Sequence, residues 1–175
     1  MCYTDKQVKF QNTFTMESVK RVASYIAQRY KKEFGERISE MKLHKLLYFT
    51  QRESLIQLGE PLFNEEFLAW KYGPVIPSIR NLYAQDQLTD VPDSKWEEAN
   101  KSVLDFVFSH YAPKEAWSLS NLSHGEISWQ RARRGLARDE NGNVALSLED
   151  IRQDARRMKW RRYIIDMYNA KQNTQ

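Results

Sequence analysis

Residues 39–61 read SEMKLHKLLYFTQRESLIQLGEP. Ser39 is a good N-cap residue, and Leu43, Leu46, Leu47, Leu55 and Leu58 fall near one broad helical stripe. Gly59 and Pro61 stop the run, as glycine and proline do just past a helix end. This stretch predicts a long helix and sets the class of the chain as mainly α. Upstream, Val19, Val22, Ala23, Ile26 and Tyr30 keep the 3–4 spacing of one helical face, and Gly35 suits the residue after its end. That helix starts near Thr15. Only a few residues separate the two helices, which predicts an αα-hairpin.

Downstream the character changes. Residues 60–77, EPLFNEEFLAWKYGPVIP, combine Pro61, Gly73, Pro74 and Pro77 with bulky apolar and aromatic residues. Phe67 to Trp70 suits a short strand or an extended buried segment, because Pro74 disfavours α geometry before it. A short helix restarts at Pro77 and runs to Tyr83. Ser94 with Glu97 makes a capping-box pattern ahead of a helix carrying Trp96, Ala99, Val103, Leu104, Val107 and Tyr111, which Pro113 breaks. Short helices follow over 114–122 and 123–136. Asn141-Gly142 signals a tight turn closing a small hairpin. Ser147 with Asp150 caps a last helix over about 148–168. The expectation is a single compact helical domain, residues 15–168, with a short extended or β-hairpin element. A flexible N-terminal segment, 1–14, precedes it, and a polar tail, 169–175, follows.

The chain has 175 residues, enough for one domain with a real core. Charged residues make up 29%, yet 5 Trp, 9 Tyr and 8 Phe oppose a disordered reading. The net charge of +4 is unevenly spread. Residues 1–60 carry 11 basic and 7 acidic side chains, residues 61–130 carry 5 and 10, and residues 131–175 carry 11 and 6. An acidic middle between basic ends suits an electrostatic interaction surface, or parts of one chain that attract each other. The single cysteine, Cys2, forms no internal disulfide and suits a reducing compartment. The N-terminus lacks a secretory pattern, and no apolar run is long enough to span a bilayer. The expected location is the cytoplasm, with no membrane partner.

Chemistry-bearing motifs are sparse. His44, His110 and His124 stand singly, and H-E-x-x-H, P-loop, G-x-S-x-G and G-x-G-x-x-G patterns are absent. Cys2 lacks a positioned base, and neighbouring carboxylates such as Glu65-Glu66 do not face one substrate. The expectation is a protein without catalytic residues, metal or cofactor. Two features remain. Trp70, Lys71, Tyr72, Gly73, Pro74 and Val75 read either as a structural turn or as a rigid exposed aromatic platform for a partner protein. Arg152, Arg156, Arg157, Lys159, Arg161 and Arg162 read either as a solvated helix face paired with local carboxylates or as a phosphate-contacting cluster beside Trp160.

Four blocks then resemble a known family. Lys42 to Gln51 (KLHKLLYFTQ) resembles the signature helix of Panacea-domain proteins, also described as SocA-like antitoxins and GepA-like phage-associated proteins. Gly59 to Phe63 resembles the family's GkPLF, Phe67 to Pro77 its feAWkyGPVvP, and Leu119 to Glu126 with Trp129 its Ls.lTH.e.pW. The blocks stand in order over about residues 18–135. Ser123 replaces a Thr, Ser128 stands where Pro is usual, and Ser78-Ile79-Arg80 departs from the usual acidic-aromatic stretch. The resemblance implies a mainly helical antitoxin, in some members phage-associated, that binds and neutralises a toxin encoded nearby. A SocA-like member instead delivers its toxin to a protease. On that expectation Trp70–Val75, with His124 and Trp129, are the candidate partner-binding residues, a structural role being the alternative for both regions. The arginine-rich C-terminal helix lies outside the motif, so a nucleic-acid role for it stays open beside these two.

Overall fold

The computed structural model describes residues 16–172. Seven helices and one hairpin follow in order: α1 (Val19–Phe34), α2 (Glu40–Gln57), β1 (Leu68–Trp70), β2 (Gly73–Val75), α3 (Pro77–Ala84), α4 (Ser94–His110), α5 (Ala116–His124), α6 (Ile127–Ala132) and α7 (Leu148–Gln172). The mainly α class with one short hairpin is as the sequence predicts. The expected flexible segment 1–14, and Cys2 within it, lie outside the described residues.

The centre of the fold is α2. α1, α4, α5, α7 and β2 all pack against it, and residues 42–56 are buried without interruption. The leucine stripe is therefore only one part of its buried surface, while Leu58, assigned to that stripe, is exposed. A helix buried all round has to satisfy each polar side chain it carries. Thr50 Oγ1 donates to the Leu46 carbonyl at 2.7 Å, and Ser54 Oγ to that of Glu60 at 2.6 Å. Gln51 accepts from the Leu62 amide and donates to the Phe63 carbonyl, both at 2.8 Å. Gln51 thereby fixes the Pro61-Leu62-Phe63 stretch beside the helix that precedes it. Glu53 receives a two-pronged ion pair from Arg162 of α7 at 2.8 and 2.9 Å.

Local signals explain most boundaries. α1 buries Val19, Val22, Ala23, Ile26 and Tyr30, the predicted face, and ends at Gly35 in the left-handed region (φ 74°). Ser39 caps α2 by accepting from the Lys42 amide. Ser147 does the same for α7 through the Asp150 amide at 3.1 Å. At α4 the cap is Asp93, whose Oδ1 accepts from the Trp96 amide at 2.8 Å, and the helix begins at Ser94. A carboxylate one residue earlier takes the role the Ser94–Glu97 pattern suggested. Within α4 the predicted inward position Ala99 is exposed, and Asn100 is buried instead, donating to the Trp96 carbonyl.

Two other expectations change. Asn141-Gly142 closes no hairpin of its own. Gly142 is not in the positive-φ region a tight two-residue turn demands. The segment instead runs along β1, with Ala69 N–H donating to Val144 O at 2.9 Å and Leu146 N–H to Phe67 O at 2.8 Å. The hairpin is formed by β1 and β2, paired antiparallel with Trp70 opposite Gly73. α7 continues through Gln172, past the expected start of the polar tail; residues 173–175 lie outside those described.

Candidate partner-binding site

The hairpin rests on the N-terminal half of α2 and on α5, and other elements hold its carbonyls. Arg133 donates to Ala69 O at 2.9 Å, and Trp129 Nε1 to Trp70 O at 3.0 Å. Ser120 Oγ donates to Tyr72 O at 2.8 Å, and Lys45 Nζ to Pro74 O at 3.0 Å. Four carbonyls within six residues are thus gripped by side chains from α2, α5, α6 and the turn after α6. Each bond is modest alone, but together they fix the backbone of a very short hairpin that would not be stable by itself.

Gly73 is required by two constraints. Its φ of 102° lies in the region that favours glycine, and a Cβ there would fall 2.7 Å from Lys45 Cε and against Ser123 Oγ. Gly73→Ala is expected to cost about 2 kcal/mol or more, from backbone strain plus overpacking. Urea unfolding measures this; an unchanged midpoint would mean the hairpin is not held as described.

The clamp divides the predicted aromatic segment residue by residue. Gly73, Pro74 and Val75 are buried, Trp70 and Lys71 are half-buried, and Tyr72 is 44% exposed. The buried part of the segment is thus Gly73 to Val75, and Tyr72 is its exposed ring. His124 stacks on Trp129 with ring centroids 4.1 Å apart, so the two residues that the motif paired do meet. Trp117 was not among the predicted site residues. It is 58% exposed and meets Tyr72 edge-to-face at 5.2 Å, and Leu122 of the same helix is exposed as well. Beside this rim opens a cleft of about 370 Å³, lined among others by His44, Lys45, Trp70, Lys71, Tyr72 and Arg80.

The cleft floor is electrostatically unusual. His44 and Lys45 are both about 1% exposed. Burial, aided by the charges of Lys45 and Arg80, pushes His44 down to about 3, so its ring is neutral. Burial likewise pulls Lys45 down to about 7. Among the described residues its one hydrogen-bond partner is the Pro74 carbonyl, through which it holds the hairpin.

Behind the hairpin a second polar cluster joins α2, α6 and α7. Buried Arg52 bonds Glu126 and the Tyr111 hydroxyl. Asp154 of α7 accepts from the Ile127 and Ser128 amides at 2.6 and 3.0 Å and from the Tyr48 hydroxyl at 3.1 Å. A carboxylate from α7 thereby caps α6, which carries Trp129. Ser128 supplies an amide proton that the proline usual at this motif position lacks, so the departure has a structural partner.

Burial pushes Glu126 up to about 7; Arg52 and Arg157 oppose the shift and Asp154 adds to it. A carboxyl raised on folding stabilises below its unfolded value near 4.5, and that stabilisation is lost as pH climbs to about 7. His44 works in the opposite sense: its neutral form costs stability as pH falls from 6.5 towards 3. The two slopes oppose each other between about pH 4.5 and 6.5. In Glu126→Gln, stability relative to the parent is expected to rise with pH by about 1.4 kcal/mol per unit across pH 4.5–7. Chemical denaturation at several pH values checks this, and a constant difference would contradict it.

The stretch from α2 to α6 that builds the hairpin and most of its clamps is also where known proteins match. A family model described as antitoxin SocA-like, Panacea domain, matches residues 43–130. The chain belongs to the SocA-like Panacea-domain family. It is similar to Antitoxin SocA of Caulobacter vibrioides (strain NA1000 / CB15N), 45% identical over 47 residues, which cover 27% of this chain and 25% of that protein. The match thus spans about a quarter of the relative's length. No solved structure matches the chain. The Panacea model leaves out α1 and α7, and Arg133 of the clamp.

The basic residues of α7 are mostly engaged within this Panacea protein. Arg152 bonds the Gly59 carbonyl at 2.7 Å, Arg156 pairs with Glu149, Arg157 donates to the Gly125 carbonyl, and Arg162 pairs with Glu53. Lys159 and Arg161 are the members of the predicted cluster with no ion-pair partner among the described residues. The same helix exposes Trp160, Tyr163, Ile164, Met167 and Tyr168 at helical spacing. Among the described residues no His, Cys, Asp and Glu group could hold a metal ion, and no helix is long and apolar enough to cross a membrane.

Proposed function

We propose that this chain is an antitoxin without catalytic activity that neutralises a toxin encoded nearby by direct protein–protein contact. The contact surface is the rim of the hairpin cleft, centred on Lys71, Tyr72 and Trp117. One observation carries the reading: a hairpin held by four side-chain clamps presents an exposed, edge-to-face aromatic pair. Rigid tyrosine and tryptophan side chains bury large areas at low entropic cost, as interface anchors do. Family membership supports the class of partner. Buried Gly73, Pro74 and Val75, with His124 and Trp129, position this rim. The test is co-expression with the product of the adjacent reading frame: growth is restored and the two proteins co-purify in fixed ratio. If no neighbouring product is toxic, or none is rescued, the proposal fails.

A second reading, delivery of the toxin to a cytoplasmic protease, is favoured by the exposed apolar face at the end of α7. An adaptor needs a second protein-binding surface, and amphipathic helices with anchors at this spacing dock into grooves. Toxin half-life separates the readings: blocking leaves it unchanged, delivery shortens it.

A further inference from the structure

The two sides of α7 have opposite fates. Ile151, Asp154 and Ala155 are buried, Met158 packs against the core, and Arg162 reaches Glu53 and the Phe106 ring. These residues mark the inward side of the helix. At about 3.6 residues per turn, Trp160, Tyr163, Ile164, Met167 and Tyr168 stand on the outward side. All of them are exposed, Trp160 and Tyr168 to 64%. Ile165 continues the inward side, yet it too is 47% exposed. Residues 163–172 are exposed without exception, so α7 runs on past the edge of the domain. A helical end of this length is marginal in water alone, and β-branched and aromatic residues weaken it further. An apolar overhang of this kind calls for a covering partner.

The charges beside the stripe indicate what covers it. Lys159 and Asp166 stand seven residues apart, close to two turns, and so share one flank. Neither has an ion-pair partner among the described residues. Arg161 and Tyr168 share the other flank in the same way. When two copies of one helix pack antiparallel about a two-fold axis, like flanks meet and each contact occurs twice. Lys159 then meets the second copy's Asp166, and Arg161 meets the second copy's Tyr168 ring. Centred between Tyr163 and Ile164, the pairing also sets Trp160 against the second copy's Met167. A parallel pair would instead bring Lys159 beside the second copy's Arg161, two like charges. An anionic membrane or a uniformly acidic segment would meet Asp166 with the wrong sign. The stripe points away from the domain, so the two domains lie outside the helix pair. Three rings at this exposure, with Ile164 and Met167, offer on the order of 500 Å² per copy, against the roughly 1,000 Å² in total that a stable interface needs.

We infer that two copies of this chain associate through the end of α7, residues 160–168, packed antiparallel with Lys159 facing the second copy's Asp166. The inference does not rest on the antitoxin reading. α7 packs on α2 and α6, so the pairing does not use the hairpin rim. It does take the face on which the protease-delivery reading draws.

The experiment is sedimentation equilibrium of the full chain alone, from about 1 to 100 µM. The expected result is a reversible dimer within that range. Ile164→Glu, at the centre of the stripe, should weaken association at least about 30-fold while the circular-dichroism spectrum stays helical. Asp166→Lys should weaken it at least about fivefold, and adding Lys159→Glu to that variant should restore it to within about twofold of the parent. A chain that stays monomeric at about 100 µM overturns the inference. A dimer that Ile164→Glu leaves intact has its contact elsewhere and overturns it as well. Failure of the charge exchange to restore association overturns the antiparallel pairing. A monomer that co-sediments with phosphatidylglycerol vesicles overturns the second copy in favour of a membrane surface. A monomer whose shortening of toxin half-life is lost in Ile164→Glu overturns it in favour of a protease.

Discussion

Replacing Tyr72 and Trp117 together by alanine is expected to weaken toxin binding by at least about 100-fold, roughly 2.7 kcal/mol, and to abolish growth rescue. The two rings are 44% and 58% exposed and touch each other edge-to-face, so neither supports the core. The carbonyl of residue 72 still accepts from Ser120 in the variant, because that bond belongs to the backbone. The hairpin therefore keeps its shape while its anchors disappear. Calorimetric titration against the purified toxin, beside an unfolding curve, separates the effects. Binding within about threefold of the parent, at unchanged stability, would exclude this rim as the contact surface.

The second large effect is on stability. Arg52→Ala is expected to lose about 3–5 kcal/mol, a large part of the 5–15 kcal/mol typical of a domain. Arg52 is 1% exposed, bonds Glu126 and Tyr111, and lies 4.9 Å from the Phe49 ring centroid. Removing it leaves Glu126 buried beside Asp154, the acid that already pushes it upward. The loss should shrink at pH 5, where a protonated Glu126 no longer needs its cation. Arg52→Met combined with Glu126→Gln should recover most of the stability, since an apolar or neutral replacement removes both charges at once. Urea unfolding at pH 5 and pH 7.5 reads all three outcomes. A loss below about 1 kcal/mol for Arg52→Ala would mean that the pair is not holding α2 to α6.

Much of the helical framework is written in local patterns. The spacing of Val19, Val22, Ala23, Ile26 and Tyr30, and the caps at Ser39 and Ser147, are short-range signals, and they reappear as the buried face of α1 and the starts of α2 and α7. What the chain does not announce locally is tertiary satisfaction. Periodicity marks Leu43, Leu46 and Leu47 as core, but nothing near His44, Lys45 or Arg52 says that their side chains are buried too. Their partners, Pro74, Ile76 and Glu126, stand 29 to 74 residues away. The same limit hid the fate of Asn141-Gly142, whose strand-like pairing is with β1. It also hid Trp117, an isolated ring in an unremarkable helix that gains meaning only beside Tyr72. The motif residues Trp70 to Val75, His124 and Trp129 do assemble in one place, with Gly73, Pro74 and Val75 buried and Tyr72 exposed.

Hydrogen exchange on the full chain, free and bound to the toxin from the adjacent reading frame, tests the account most directly. The account predicts added protection concentrated at residues 70–76 and 117–124, with α7 beyond residue 160 unchanged. Protection confined to residues 160–168, or none anywhere in the chain, would contradict it.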